Sequence, residues 1–251
     1  MLRIEGVSCR FGAVEALAEL DLEVGTGEVV GLIGPNGSGK TTLFNVVTGV
    51  YAPSGGRVWL RDVDISGEKP AAVARRGVAR TFQNLRIYSR MTVFDNVWAA
   101  QHSLPDVGIG GLLLAGPEGE AERRAEVMRL LEATGLADRA DDLADNLPLP
   151  DQRRLELARA LVRRPDLLLL DEPAGGMTPI ETEQMAVLIR DVATPGRTCV
   201  VIEHKMDLVS GICERLCVLN FGRKIAEGRP EDVFRDAAVL EAYLGREAAD
   251  A

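Results

Sequence analysis

A short apolar run, Val29 to Ile33, leads straight into Gly34-Pro35-Asn36-Gly37-Ser38-Gly39-Lys40-Thr41. No other stretch of the 251-residue chain limits the fold so tightly. The run is brief and bounded by glycine, as a strand buried on both faces requires. The octapeptide follows G-x-x-x-x-G-K-[ST]. Its glycines let the backbone wrap an anion with N–H groups, and a helix expected over Thr41 to Thr48 would aim its positive end at the same anion. Lys40 has the reach for the β- and γ-phosphates of a nucleotide, and the Thr41 hydroxyl is the type of ligand Mg²⁺ needs. An ordinary glycine turn is the competing reading. It accounts for the glycines but not for their place between a buried strand and a helix.

Around this loop the pattern alternates. Leu20, Leu22 and Val24 interleave with acidic residues as a half-buried strand, and Gly25-Thr26-Gly27 is a turn. Further on, Leu167–Leu170 and Thr198–Ile202 read as buried strands, and Ile180–Val192 and Lys205–Cys213 as helices. Leu216–Asn220 and Lys224–Ala226 form a hairpin around Phe221-Gly222. Such alternation implies an α/β protein with a mainly parallel sheet covered by helices. The middle differs. Thr92–His102 is helical, and the Gly- and Pro-rich Leu104–Gly119 is a loop. Glu120–Thr134 turns Val127, Leu130, Leu131 and Thr134 to one side, and Gln152–Arg163 turns Leu155, Ala158, Leu161 and Val162 inward. Residues 85–163 therefore read as a helical lobe. With 46% hydrophobic residues, the chain can bury one large core with such a lobe inserted.

Chemistry-bearing residues fall at strand ends, where ligands bind in a parallel sheet. Leu167–Leu170 ends in Asp171 and Glu172. Adjacent residues point to opposite sides of a strand, so the two acids suit different roles: Asp171 to hold Mg²⁺ through water, Glu172 to orient or deprotonate an attacking water. A polar strand end that caps the next turn is the plain alternative. His204 follows the strand Cys199–Ile202, on the side where a γ-phosphate would lie, and could hold that phosphate or the water. Gln83, after Val78–Phe82, could touch both metal and water.

Composition narrows the function. A net charge of −9 argues against a nucleic-acid partner. The longest apolar runs fall far short of the roughly 20 residues that span a bilayer, and Met1 to Glu5 carries no apolar signal core. The expected place is therefore the cytosol, unless a partner holds the chain at a membrane. The four cysteines fit reduced, buried thiols. Cys213 and Cys217, four apart on an expected helix, are too few ligands for zinc.

In order and spacing these pieces resemble an ABC transporter ATPase over nearly the whole chain. Gly34–Thr42 is similar to its Walker A loop, Thr81-Phe82-Gln83-Asn84 to its Q-loop, Leu167–Glu172 to Walker B with the catalytic acid, and His204 to the switch histidine. Phe11 sits where the family keeps an aromatic that stacks on adenine. The resemblance implies ATP and Mg²⁺. ATP would be held by Phe11, Asn36, Gly37, Ser38, Gly39, Lys40, Thr41 and Thr42, and the metal by Thr41, Gln83 and Asp171. Glu172, His204 and Gln83 would do the chemistry. It further implies one ABC ATPase domain over 1–251, a P-loop NTPase core with an N-terminal antiparallel β subdomain. Residues 1–84 and 164–251 would form the nucleotide-binding part, and 85–163 the inserted helical lobe.

Ala79-Arg80-Thr81-Phe82-Gln83-Asn84, Met91 to Val97, Ile202 to Asp207, Leu219 to Gly222 and Glu241 to Gly245 resemble the branched-chain amino-acid uptake ATPases. That subgroup implies a bacterial importer at the cytoplasmic face of the inner membrane. It would have a second ATPase subunit, usually non-identical, two membrane permeases and a solute-binding protein outside. A permease's coupling helix would dock near Asn84 to Val97. Other readings stay open: an importer of another small polar solute, a nucleotide-dependent clamp or regulator without transport, or an inactive scaffold.

One motif departs. Where the family's signature reads Leu-Ser-Gly-Gly-Gln, or Leu-Ser-Tyr-Gly-Gln in this subgroup, the chain has Leu147-Pro148-Leu149-Pro150-Asp151, followed by the family's basic helix start. In the family, the serine hydroxyl and glycine amides reach across a dimer to the other subunit's γ-phosphate. Pro148 has no hydroxyl, Pro150 has no N–H, and Asp151 adds a negative charge. Charged hydrogen bonds are worth about 1.5–3 kcal/mol each, so losing two implies on the order of a hundredfold or more in closure of that site. Proline suits a helix's first turn and aspartate its positive end. The expected arrangement is a heterodimer with one competent site, made from this chain's P-loop half and a partner's intact signature. Thr178, where the subgroup has Asn, is a smaller departure.

Overall fold

The computed structural model describes residues 1–102 and 117–247. They group into two compact units.

The first unit comprises Met1–Arg80, Asp166–Glu172 and the chain from Gly196 onward. An antiparallel sheet of order β2-β1-β4-β5 is built from β1 (Leu2–Phe11), β2 (Val14–Val24), β4 (Gly55–Leu60) and β5 (Val63–Asp64). A second sheet runs β10-β9-β3-β8-β7-β6, with β3 (Val29–Ile33), β6 (Val78–Arg80), β7 (Leu167–Asp171), β8 (Thr198–Ile202), β9 (Arg215–Asn220) and β10 (Arg223–Gly228). Only the β9–β10 hairpin is antiparallel there; β9, β3, β8, β7 and β6 run parallel. The α/β fold with a mainly parallel sheet and a separate antiparallel one is thus as expected. Each residue of β3, β7 and β8 is buried, which is why these strands read as unbroken apolar runs instead of alternating ones.

Helix α1 (Lys40–Val47) lies in the core between the two sheets. Leu43, Phe44, Val46 and Val47 join one cluster with Leu2, Ile4 and Leu20 of the antiparallel sheet and with Val30, Leu32, Leu169 and Ile202 of the parallel one. Even-numbered residues of β3 face this cluster. On the other face Gly31 is pressed against Leu216, Val209 and Cys213, and a Cβ there would stand 2.6 Å from Leu216 Cδ2.

The second unit comprises Thr81–Pro165 and Pro173–Pro195. Its core packs Val93 and Val97 of helix Val93–His102, Val127 and Leu131 of helix Pro117–Ala133, and Leu155, Ala158 and Val162 of the segment opened by helix Leu149–Leu161.

Several boundaries differ from the sequence reading, for physical reasons. β2 starts at Val14, because a left-handed residue at Glu19 (φ 48°) breaks the alternation and hides the strand's first half. The loop expected over 104–119 lies outside the described residues through 116, and Pro117 to Gly119 already belong to a helix. The helix expected from Gln152 begins at Leu149, with Pro150 in its first turn, where a missing N–H costs nothing. The helix after Thr178 turns from α to π at Ile189. Cys213 and Cys217 do not share a helix: Met206–Ile212 ends before Cys213, and Cys217 lies in β9 beside β3. All four thiols are free and buried, and burial pushes Cys199 and Cys213 up to about 12. No helix among the described residues is long and apolar enough to cross a membrane.

Candidate active site

The phosphate loop leaves the C-terminal end of β3 and enters α1. Gly39 caps the helix in the left-handed region (φ 107°), and a Cβ there would stand 2.6 Å from the Ala16 carbonyl oxygen. Gly34 (φ 145°) is pressed harder still, with a Cβ there 2.0 Å from the Leu219 carbonyl oxygen. Both positions therefore demand glycine for conformation and for space. Lys40 is 6% exposed, and its ammonium donates to Gly34 O (2.7 Å), Pro35 O (2.9 Å) and Ser38 Oγ (3.4 Å). Its charge thus sits over the loop, where an incoming phosphate would meet it. Asn36, Gly37 and Thr41 are exposed, Thr42 is half-buried and Ser38 is buried. The helix opens with no acidic residue in its first turn and no side-chain cap, so its positive end is left to a ligand.

A brace comes from far along the chain. Gly222, at the tip of the β9–β10 hairpin, donates to Ser38 O (2.9 Å) and accepts from Ala18 N (3.0 Å). Phe221 and Gly222 both have positive φ (45° and 76°), the two-residue turn that a twisted hairpin favours. Phe11 ends β1, 44% exposed, with its ring edge-on to Tyr51 at 5.0 Å between centroids.

The acids stand at the same edge of the sheet, two strands away. Asp171 is 2% exposed and pairs with Arg80, Nη2 to Oδ2 at 2.7 Å. Burial pushes its carboxyl above the usual carboxylate range, and the Arg80 guanidinium pulls against that. Glu172 adopts φ 49° while its amide donates to Ile202 O (2.9 Å). A non-glycine residue in this region carries strain, and such strain gathers at functional sites. His204 Nε2 donates to Glu172 Oε1 at 2.9 Å. Beneath it, the buried carboxylate of Glu203 accepts from the amides of His204 (2.9 Å) and Lys205 (3.3 Å), which fixes the turn that presents the histidine. The structure therefore brings the loop, Asp171, Glu172 and His204 to one edge of one sheet.

Gln83 lies in the second unit, and its side chain is exposed. Its backbone is held from the helix that follows the departed signature. Arg153 donates to Phe82 O (3.0 Å) and Gln83 O (2.8 Å), and Glu156 accepts from Phe82 N (3.1 Å). Burial pushes the Glu156 carboxyl up. Sequence reasoning missed Arg153, Glu156, Arg80 and Glu203 as supports. Their signal was a charged residue on an inward helix face or at the end of an apolar strand.

At the departed signature, Pro148 is the N-cap with no side-chain bond, and Asp151 lies 3.7 Å from Arg139 and 3.6 Å from Arg154. Gln152 Nε2 donates to Leu147 O (2.8 Å). Thr178 also has a local purpose: it caps helix Pro179–Leu188 in a capping box with Glu181.

The donor set suits Mg²⁺ held jointly with a nucleotide. No cluster of three or more His, Cys, Asp or Glu side chains that could cage a metal occurs among the described residues. Mg²⁺ commonly takes one or two protein oxygens and completes its shell with phosphate and water, and the Thr41 hydroxyl and Asp171 carboxylate are such oxygens.

Residues 17–175 match the family described as ABC transporter, and residues 223–249 the one described as branched-chain amino acid ATP-binding cassette transporter. The chain is 42% identical over 249 residues to the high-affinity branched-chain amino acid transport ATP-binding protein LivG of Escherichia coli (strain K12), covering 98% of each. It is 39% identical over 249 residues to BraF of Pseudomonas aeruginosa, named for the same role, again covering 98% of each. Among solved structures, the ADP conformation of an ATP-binding cassette of an ABC transporter superposes with a TM-score of 0.86 at 32% identity, covering 98% of both chains.

Proposed function

The chain belongs to the ABC transporter family of ATP-binding subunits, and from that membership we propose that it hydrolyses ATP to drive import of branched-chain amino acids. The observation that carries this reading is the Glu172–His204 contact of 2.9 Å, at the same sheet edge as the phosphate loop.

The loop amides and Lys40 bind the nucleotide's phosphates, and Phe11 packs on its base. Thr41 and Asp171, with Gln83 by resemblance, would hold Mg²⁺, which when bound would neutralise phosphate charge. Glu172 accepts the proton of the attacking water, and His204 holds Glu172 and the γ-phosphate side in register. Two local bonds support these roles: the Glu172 amide is tied to Ile202, and the histidine turn is tied to Glu203.

The complete transporter comprises two permeases, an outer solute-binding protein and a second, non-identical ATPase with an intact signature. The subunit rests on the cytoplasmic face of the membrane through the permeases. Two observations support a non-identical partner. Pro148 and Pro150 offer neither hydroxyl nor N–H, and Asp151 already faces two arginines of its own unit. The clamp reading gains nothing, since the relatives that span 98% of both lengths are named as transport subunits.

ATP hydrolysis by the purified chain, beside Pro148→Ser/Pro150→Gly/Asp151→Gln, tests the reading. A nearly silent native chain with a variant that turns over is the expected result. A native chain already at full family turnover overturns the asymmetric arrangement, and a variant as silent as the native chain removes Glu172 and His204 from their assigned roles.

A further inference from the structure

Arg80 is the last residue of β6, an otherwise apolar strand, yet its side chain is only 6% exposed. Its guanidinium makes one contact to the acid and others to the phosphate-loop helix. Nη2 donates to Asp171 Oδ2 (2.7 Å), and Nη1 donates to Asn45 Oδ1 (2.7 Å) and, more weakly, to Thr48 Oγ1 (3.4 Å). Its carbon centre stands 5.4 Å from the Phe44 ring. Asn45 and Thr48 are one turn apart at the end of α1, the helix that begins with Lys40 and Thr41. The planar fork of arginine reaches both partners at fixed spacing, which a lysine's single ammonium does not.

From this geometry we infer that Arg80 is a positioning residue, which locks the Asp171 carboxylate to the helix carrying Lys40 and Thr41 and so sets the metal side of the nucleotide site. The inference rests on the reading of Asp171 as the acid on that side. Groups behind a metal ligand commonly fix its orientation, and losing one weakens metal binding about 10–100-fold. Stability alone explains the pair poorly, because an apolar pair of equal volume often serves a buried position as well or better.

The test is binding of a fluorescent ATP analogue to the full chain, with Mg²⁺ and in EDTA, for the native protein, Arg80→Gln, Arg80→Lys and Asp171→Asn. The quantity read is the gain in affinity that Mg²⁺ confers. Arg80→Gln is expected to lower that gain by on the order of tenfold while leaving affinity in EDTA within about twofold. Arg80→Lys should recover part of the loss. Should Arg80→Gln fail to fold, Asn45→Ala releases one side of the fork, and the gain should fall about threefold. An unchanged gain in the arginine variant, with the gain lost in Asp171→Asn, leaves Arg80 a purely structural residue and overturns the inference alone. A gain retained by Asp171→Asn overturns the reading of Asp171 and the inference with it.

Discussion

Two helix starts in this chain use the same physics to opposite ends. Helix Lys40–Val47 opens on glycine, has no acid in its first turn and no side-chain cap, and exposes its positive end. Helix Leu149–Leu161 opens on proline, carries Asp151 in its first turn, and keeps that carboxylate near Arg139 and Arg154. A helix N-terminus attracts anions. The first start leaves that attraction for a ligand, and the second is filled by the chain's own anion. A third start, at Thr178, is filled by hydroxyl and Glu181 carboxylate in a capping box. The difference teaches that the departed signature sets the chain's own carboxylate in the first turn, in place of an outside anion, while its N-cap Pro148 makes no side-chain bond.

Substitutions can break or sharpen this comparison. The largest effect is expected at the chemistry beside the open start. Glu172→Gln in the assembled transporter should lower hydrolysis about 10²–10⁴-fold with ATP binding kept, read by phosphate release beside nucleotide titration. If binding is lost as well, the open start does not stand apart from the acids. Next, Lys40→Ala should weaken ATP binding on the order of a hundredfold by fluorescence titration, since charged hydrogen bonds to phosphate are lost. Opening the capped start by Thr178→Ala should cost about 1 kcal/mol in urea unfolding, without touching nucleotide affinity. Smallest, Asp151→Asn should cost about 0.3–1 kcal/mol in the same assay. A rise in stability there would mean that the carboxylate is frustrated, and the contrast between the two starts would fail.

Much of this could be read from the chain, and the unread part has a common cause. β3, β7 and β8 declared themselves because strands buried on both faces must be apolar throughout. The loop, Asp171, Glu172 and His204 were legible because each ends or follows such a strand. β2 was half hidden, since its bulge at Glu19 breaks the period on which strand reading depends. Leu216–Asn220 was legible as a hairpin strand, and its place beside β3 puts Cys217 there and not on a helix shared with Cys213. Arg80, Arg153 and Glu156 were missed for a different reason: each acts on backbone or carboxylate 71 to 91 residues away, and no local pattern records such a partner.

The Gly222–Ser38 bond carries a consequence for how the molecule is made. β3 is flanked by β8 and β9, and the loop that follows it is braced by a hairpin tip more than 180 residues later. During synthesis at about 5–20 residues per second, the finished loop sequence waits several seconds or more before its neighbours leave the ribosome. A nascent chain cut before Thr198 has the complete nucleotide-binding motif but neither flanking strand. Such a chain also lacks the Gly222 amide that braces the loop at Ser38, so the loop's native surroundings are the last part of the sheet to be completed.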